Sequence, residues 1–172
     1  MNFKGVKALI LDVDGVLTDG SLYYTQAGEE LKKFNIKDGS GIRLLLKVGI
    51  EVVVITGKGS PALDARFKEL GIKHLYKNVR DKGRVLEKVA SKLNIPLEKM
   101  CFIADDLIDL PALKKVGFPV CVADSDPYIL DKVVYVTENL AGHGAVREVI
   151  NKILKDNQLF EKAIALYLSP PE

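Results

Sequence analysis

The chain has little of what would mark it as secreted, membrane-spanning or nucleic-acid-binding. Two cysteines in 172 residues, Cys101 and Cys121, are too few for a disulfide framework and lack the paired spacing of a zinc site. Each sits inside an apolar run, as buried free thiols do. No apolar run is long enough for a membrane span, and the short stretch before Asp12 does not read as a signal peptide. Net charge is only +2, which argues against a broad electrostatic grip on nucleic acid or membrane. His74 and His143 have no serine elbow to serve, so a hydrolytic triad is excluded. Gly57-Lys58 has no glycine five residues before Gly57 and makes no P-loop. These absences predict a cytoplasmic, soluble protein.

What is present is ordinary globular composition, 48% apolar and 28% charged, in a length that fits one domain over residues 1–172. One pattern recurs: a short apolar run stops abruptly at a polar residue. Ala8–Leu11 meets Asp12, Val52–Ile55 meets Thr56, and Cys101–Ala104 meets Asp105. Val120–Ala123 meets Asp124, and Val133–Val136 meets Thr137. Runs that are apolar at every position fit strands covered on both faces, hence a parallel sheet. Between them, helical spacing appears in Ile42/Leu45/Leu46/Gly49, Leu63/Phe67/Leu70, Val85/Leu86/Val89/Leu93 and Val146/Ile150/Ile153/Leu154. Ser60-Pro61 reads as a helix start, and Gly49 and Gly71 as helix stops. The expected fold is α/β, Rossmann-like, with an open, mostly parallel sheet flanked by helices. One segment, about residues 20–35, interrupts the alternation. There Leu22–Thr25 and Glu30–Phe34 flank Gln26-Ala27-Gly28-Glu29 as a β-hairpin, which is marginal alone and must pack on the body or on another subunit. Asn78–Lys82 reads as a loop and Ser169–Glu172 as a tail.

Ligands of open α/β sheets bind outside the carboxyl ends of the strands, so Asp12, Thr56 and Asp105 are expected to converge there. Asp12 and Asp14 lie two apart, which in extended backbone puts both carboxylates on one side, and Gly15 then permits a close turn. For that fragment alone a solvated turn is an equal alternative. Asp105-Asp106 and Asp109 add a second acidic cluster. Carboxylates gathered at a sheet edge repel without a cation, and oxygen-only donors beside phosphate suit Mg²⁺. Helix capping is the competing explanation for Asp106 and Asp109. Lys82 follows the helix cap Asp81 and stands at the positive end of a helix dipole, where a nearby anion would explain it. Thr56-Gly57 precedes a helix start, where a hydroxyl and free N–H groups can hold phosphate oxygens. These parts make phosphoryl transfer: Asp12 as nucleophile, Asp14 as acid and base, and Mg²⁺, Lys82 and Thr56 offsetting charge.

The pattern resembles the haloacid dehalogenase superfamily of phosphohydrolases. Its four motifs are matched in order by Asp12-Val13-Asp14-Gly15-Val16-Leu17-Thr18, Thr56, Lys82, and Asp105-Asp106 with Asp109. The resemblance implies that Asp12, the backbone carbonyl of Asp14, and Asp105 bind Mg²⁺. It narrows to the capless subgroup containing 3-deoxy-D-manno-octulosonate 8-phosphate phosphatase. The stretches that carry it are Phe34-Asn35 with Asp38–Arg43, Ile55-Thr56-Gly57, Leu70-Gly71-Ile72 and Gly144–Glu148. That resemblance implies a homotetramer built by the hairpin, a role in lipopolysaccharide precursor synthesis, and substrate contacts from Asn35, Ile36, Lys37, Asp38, Gly39, Arg43, Lys58, Arg66 and Lys82. Viewed singly, Arg43 and Arg66 also read as solvated helix residues. Lys58 stands where that subgroup usually has arginine, so charge stays but bidentate carboxylate recognition is lost. Ala104 replaces the usual glycine before the paired aspartates, and the tail lacks a glycine-bearing ending. These departures leave a related nine-carbon sugar acid phosphate open as substrate. Two rivals from another class are a receiver module and a silent assembly domain. The motif order, with the acidic pair after the lysine, disfavours the first, and the intact motif positions disfavour the second.

Overall fold

The computed structural model describes residues 1–169. The expected tail lies, from residue 170 on, outside the described residues. Six parallel strands form the central sheet: β1 (Ala8–Leu11), β4 (Glu51–Ile55), β5 (His74–Tyr76), β6 (Met100–Ala104), β7 (Phe118–Cys121) and β8 (Tyr135–Val136). Their spatial order is β5-β4-β1-β6-β7-β8. The first strand is therefore central, with Leu11 paired to Val54 on one side and Ile103 on the other. Every residue of β1 and β6 is buried, which is why their sequences are apolar throughout. β2 (Tyr23–Tyr24) and β3 (Glu30–Leu31) pair as the separate antiparallel hairpin.

Helices cover both faces. α1 (Ile36–Lys47), α2 (Pro61–Leu70), α5 (Ala145–Asp156) and α6 (Phe160–Leu168) contribute to one apolar cluster with Leu9 and Leu11. α3 (Lys82–Leu93) and the short α4 (Leu110–Leu113) pack with Ala8 and Ile10 on the other. This alternation of facing follows from the two-residue period of a strand. Capping places the helix starts. Ser60 Oγ accepts from Leu63 N at 3.4 Å, with Pro61 as the first helical residue. Asp81 accepts from Arg84 N at 2.9 Å, which begins α3 at Lys82. Gly71, at φ +78°, closes α2 in the left-handed conformation.

Several boundaries differ from the sequence expectation. β7 starts at Phe118 and ends at Cys121, because the apolar run Val120–Ala123 continues into the turn beyond the sheet. Among the strands and α-helices of the described residues, three have no counterpart in the sequence pattern: β5, three residues long and half-buried at the sheet edge; α4, a single turn; and α6, in which only Ala163 is fully buried. Among the described residues, no helix is long and apolar enough to cross a membrane.

Candidate active site

The strand ends bring the polar residues together at one rim. Asp12 follows β1, Thr56 follows β4, Asp105 follows β6, and Lys82 begins α3. Together with Asp14, Gly57, Lys58, Asp106 and Ile108 they line a cavity of about 230 Å³. Carboxylate oxygens of Asp12, Asp105 and Asp109 lie within 4.8 Å of one another. Gly15, at φ +82°, makes this packing possible, because a Cβ there would stand 2.0 Å from Asp105 Oδ2.

Lys82 is the counter-charge of the cluster. Its ammonium lies 2.8 Å from Asp12 Oδ1 and 2.6 Å from Asp109 Oδ1, with only 3% of its side chain exposed. Burial works against its charge, yet Asp12 and Asp109 outweigh that and hold its pKa above the usual lysine value. Burial pushes Asp12 up to about 6, with Lys82 opposing and Asp109 adding. Burial, with the charges of Asp12 and Asp109, pushes Asp105 up to about 8. Asp109 is fully buried, and both its carboxylate oxygens lack a well-formed hydrogen bond beyond the ion pair. With all three ionised, three carboxylates against one ammonium would leave two negative charges uncompensated; the raised values of Asp12 and Asp105 express that repulsion, and the donor set fits a divalent hard cation.

The capping alternative divides the late acidic residues. Asp106 caps the turn that follows it, accepting from Leu107 N at 2.6 Å. Asp109 caps nothing with its side chain and instead joins the carboxylate cluster. The Asp14 carboxylate is not in that cluster; it is paired with Lys32. Thr56, 1% exposed, donates to Lys58 O at 3.2 Å and accepts from Lys58 N at 3.4 Å, which shapes the turn at the cavity floor.

Of the residues that family resemblance assigned to substrate, only Lys58 and Lys82 reach this cavity. Arg43 and Arg66 line a different one, of about 290 Å³, together with Ile36, Gly39, Ser40 and Glu69. Arg43 donates to Glu69 O at 3.0 Å, and Arg66 pairs with the Glu69 carboxylate at 2.9 Å while lying over the Phe34 ring. Asn35 caps α1, accepting from Lys37 N at 2.8 Å. Asp38, 1% exposed, lines neither cavity, and its carboxylate accepts from Arg147 N at 2.7 Å at the start of α5.

Sequence reasoning missed Lys32 and Glu30. Lys32 pairs with Asp14 and with Glu30, 2.6 Å away, and Glu30 in turn pairs with Lys58. The alternation Glu30-x-Lys32 in a hairpin strand puts both side chains on one side, which was the available signal. Their partner in the acidic motif, 18 residues from Lys32, was not readable.

Comparison with known proteins accords with this geometry. The family model for haloacid dehalogenase-like hydrolases matches residues 74–150. The 3-deoxy-D-manno-octulosonate 8-phosphate phosphatase KdsC of Yersinia pestis is 44% identical over 161 residues, covering 94% of this chain and 86% of that protein. That of Escherichia coli K12 is 45% identical over 151 residues, covering 88% and 80%. The crystal structure of the phosphatase from Moraxella catarrhalis, in complex with magnesium ion, phosphate ion and a KDO molecule, superposes with TM-score 0.92. It is 39% identical and covers 96% of this chain and 95% of its own. Fold and site thus define a haloacid dehalogenase-like hydrolase. Within that class the chain belongs to the family of the 3-deoxy-D-manno-octulosonate 8-phosphate phosphatases.

Proposed function

We propose that the chain hydrolyses the phosphomonoester of 3-deoxy-D-manno-octulosonate 8-phosphate, releasing the sugar acid and inorganic phosphate in lipopolysaccharide precursor synthesis. The observation that carries the reading is the convergence of Asp12, Asp105 and Asp109 within 4.8 Å beside the Lys82 ammonium.

In the first half-reaction an Asp12 carboxylate oxygen attacks phosphorus and the bond to the sugar oxygen breaks. Asp14 enters this half-reaction in its protonated form and delivers that proton to the departing alkoxide. In the second, Asp14 takes a proton from water, the water oxygen attacks the aspartyl phosphate, and the Asp12 carboxylate is regenerated with release of phosphate. Lys82 holds Asp12 in place and offsets charge on the transferring group. The Thr56 hydroxyl, turned from its Lys58 carbonyl partner, and the Gly57 N–H receive phosphate oxygens. Mg²⁺, bound by Asp12, the backbone carbonyl of Asp14 and Asp105, would supply further positive charge against those oxygens.

Arg43 and Arg66 line a separate cavity, so in this reading they meet a sugar carboxylate only in another copy's site. That favours a homotetramer joined through the hairpin, where Leu22, Tyr24 and Leu31 are all exposed. A single-domain, cytoplasmic enzyme goes with the proposal, since the buried thiols of Cys101 and Cys121 are unpaired. The test is phosphate release from a panel of sugar phosphates, with and without Mg²⁺. Preference for the eight-carbon acid phosphate supports the reading. Faster turnover of a nine-carbon acid phosphate would replace the substrate, and no Mg²⁺ dependence would overturn the mechanism.

A further inference from the structure

Four charges of alternating sign run from the acidic motif to the phosphate side of the cavity. The Asp14 carboxylate meets the Lys32 ammonium, Lys32 meets Glu30, and Glu30 meets Lys58. Two of the four, Glu30 and Lys32, belong to the hairpin arm. Lys32 is the most enclosed member, with its side chain 2% exposed and that of Glu30 10% exposed, whereas Asp14 is 38% exposed. A lysine so enclosed on a surface arm has no packing reason to be charged. It is there for its partners. The hairpin has a second tie to the same loop, where Asp19 accepts from Lys33 Nζ at 3.0 Å and from Tyr23 OH at 3.0 Å.

We infer that Lys32 is a positioning residue for Asp14: its ammonium fixes the acid/base carboxylate at the mouth of the site, and Glu30 ties that ammonium to Lys58. The inference rests on the acid/base role proposed for Asp14. Lys32 occupies Asp14 Oδ1, so the proton exchanged with the leaving oxygen is carried by Oδ2. A carboxylate that is over a third exposed would otherwise sample several rotamers, and a displacement of about 1 Å from the productive geometry can cost about a hundredfold in rate. Glu30 holds Lys32 and Lys58 at once, so docking of the hairpin and alignment of the acid are a single event.

The experiment separates positioning from bulk stability through the leaving group. An alkoxide must be protonated as it departs, whereas p-nitrophenolate leaves without help. First-turnover release is therefore measured for the sugar acid phosphate and for p-nitrophenyl phosphate, in wild type, Lys32→Met, Lys32→Arg and Asp14→Asn. Lys32→Met is expected to slow sugar release about tenfold or more, a fraction of the roughly hundredfold that general acid catalysis supplies at minimum. KM and the nitrophenolate burst are expected to stay within about threefold, and Lys32→Arg is expected to restore most of the sugar rate. Equal slowing of both leaving groups by Lys32→Met, or a wild-type sugar rate, would overturn the inference. If Asp14→Asn shows leaving-group dependence and Lys32→Met does not, the positioning role alone fails. If Asp14→Asn slows both groups equally, the acid/base reading falls and takes the inference with it. Should Lys32→Met not fold, Lys32→Gln gives the same two readouts.

Discussion

Removing the Lys82 ammonium while keeping its apolar stem, as in Lys82→Met, isolates the charge at the centre of the site. In the wild type that ammonium touches Asp12 at 2.8 Å and Asp109 at 2.6 Å. Without it, Asp12, Asp105 and Asp109 share one enclosed volume with no counter-charge. Breaking a buried ion pair from one side costs about 3–5 kcal/mol. At about 2–4 °C per kcal/mol for a domain of this size, the midpoint should fall by about 6–20 °C at pH 8 in EDTA. The deficit must depend on pH. Asp12 and Asp105, already raised to about 6 and about 8, are both held down by Lys82, so the variant raises them further. At pH 5 both are then protonated and their share of the repulsion disappears, so the deficit should shrink to what the Lys82–Asp109 pair contributes. Mg²⁺ at pH 8 should recover part of the loss, because it supplies the missing positive charge. Thermal melts at pH 5 and pH 8, with EDTA or Mg²⁺, read all of this. An equal deficit at both pH values would refute the reasoning, since it would mean that Lys82 does not offset the charges of Asp12 and Asp105.

Saturating wild type with Mg²⁺ at about a hundred times its Kd should add about 2.7 kcal/mol, raising Tm by about 5–11 °C over EDTA. The gain should be larger at pH 8 than at pH 6, where protons still compete for Asp105; a flat response would oppose a carboxylate site. Asp38 gives a separate pH effect. Burial raises its pKa from 3.8 to about 6, so its stabilising contribution is full below pH 4 and is lost as pH rises through 6. Asn does not titrate, so that loss, about 3 kcal/mol at 1.36 kcal/mol per unit, should appear as a change in the stability difference between wild type and Asp38→Asn from pH 4 to pH 7. Gly15→Ala should abolish most turnover, because its Cβ would displace Asp105 and its φ of +82° disfavours any side chain; phosphate release with a circular-dichroism check of folding tests it. Asp12→Asn should lower phosphate release by more than about a thousandfold while leaving Tm in EDTA equal or higher, as one repelling charge is gone.

The sheet was legible because β1, β4 and β6 are central strands whose apolar runs admit no helical reading and end at the residues that line the cavity. Edge elements were not. His74-Leu75-Tyr76 is half-buried and three residues long, too short to show a period, and α6 lacks a polar face sharp enough to announce itself. Within the site, Asp12, Asp105, Thr56 and Lys82 could be placed from strand ends and one helix cap. Asp109 required the third dimension, since capping and cluster membership read alike in sequence. Lys32 and Glu30 looked like solvated hairpin charges, because their meaning depends on how the arm folds back over Asp14. Family resemblance groups Arg43 and Arg66 with the site, whereas on this chain they line a separate cavity beside α1 and α2.

The most direct test of the account is to quench the enzyme with acid during turnover of the sugar acid phosphate, reduce it with borohydride, and map the product by mass spectrometry. An acyl phosphate on Asp12 is reduced to homoserine, so the account predicts that modification at residue 12 alone, dependent on substrate. Turnover with an unmodified Asp12, or with the label on another carboxylate, would contradict it.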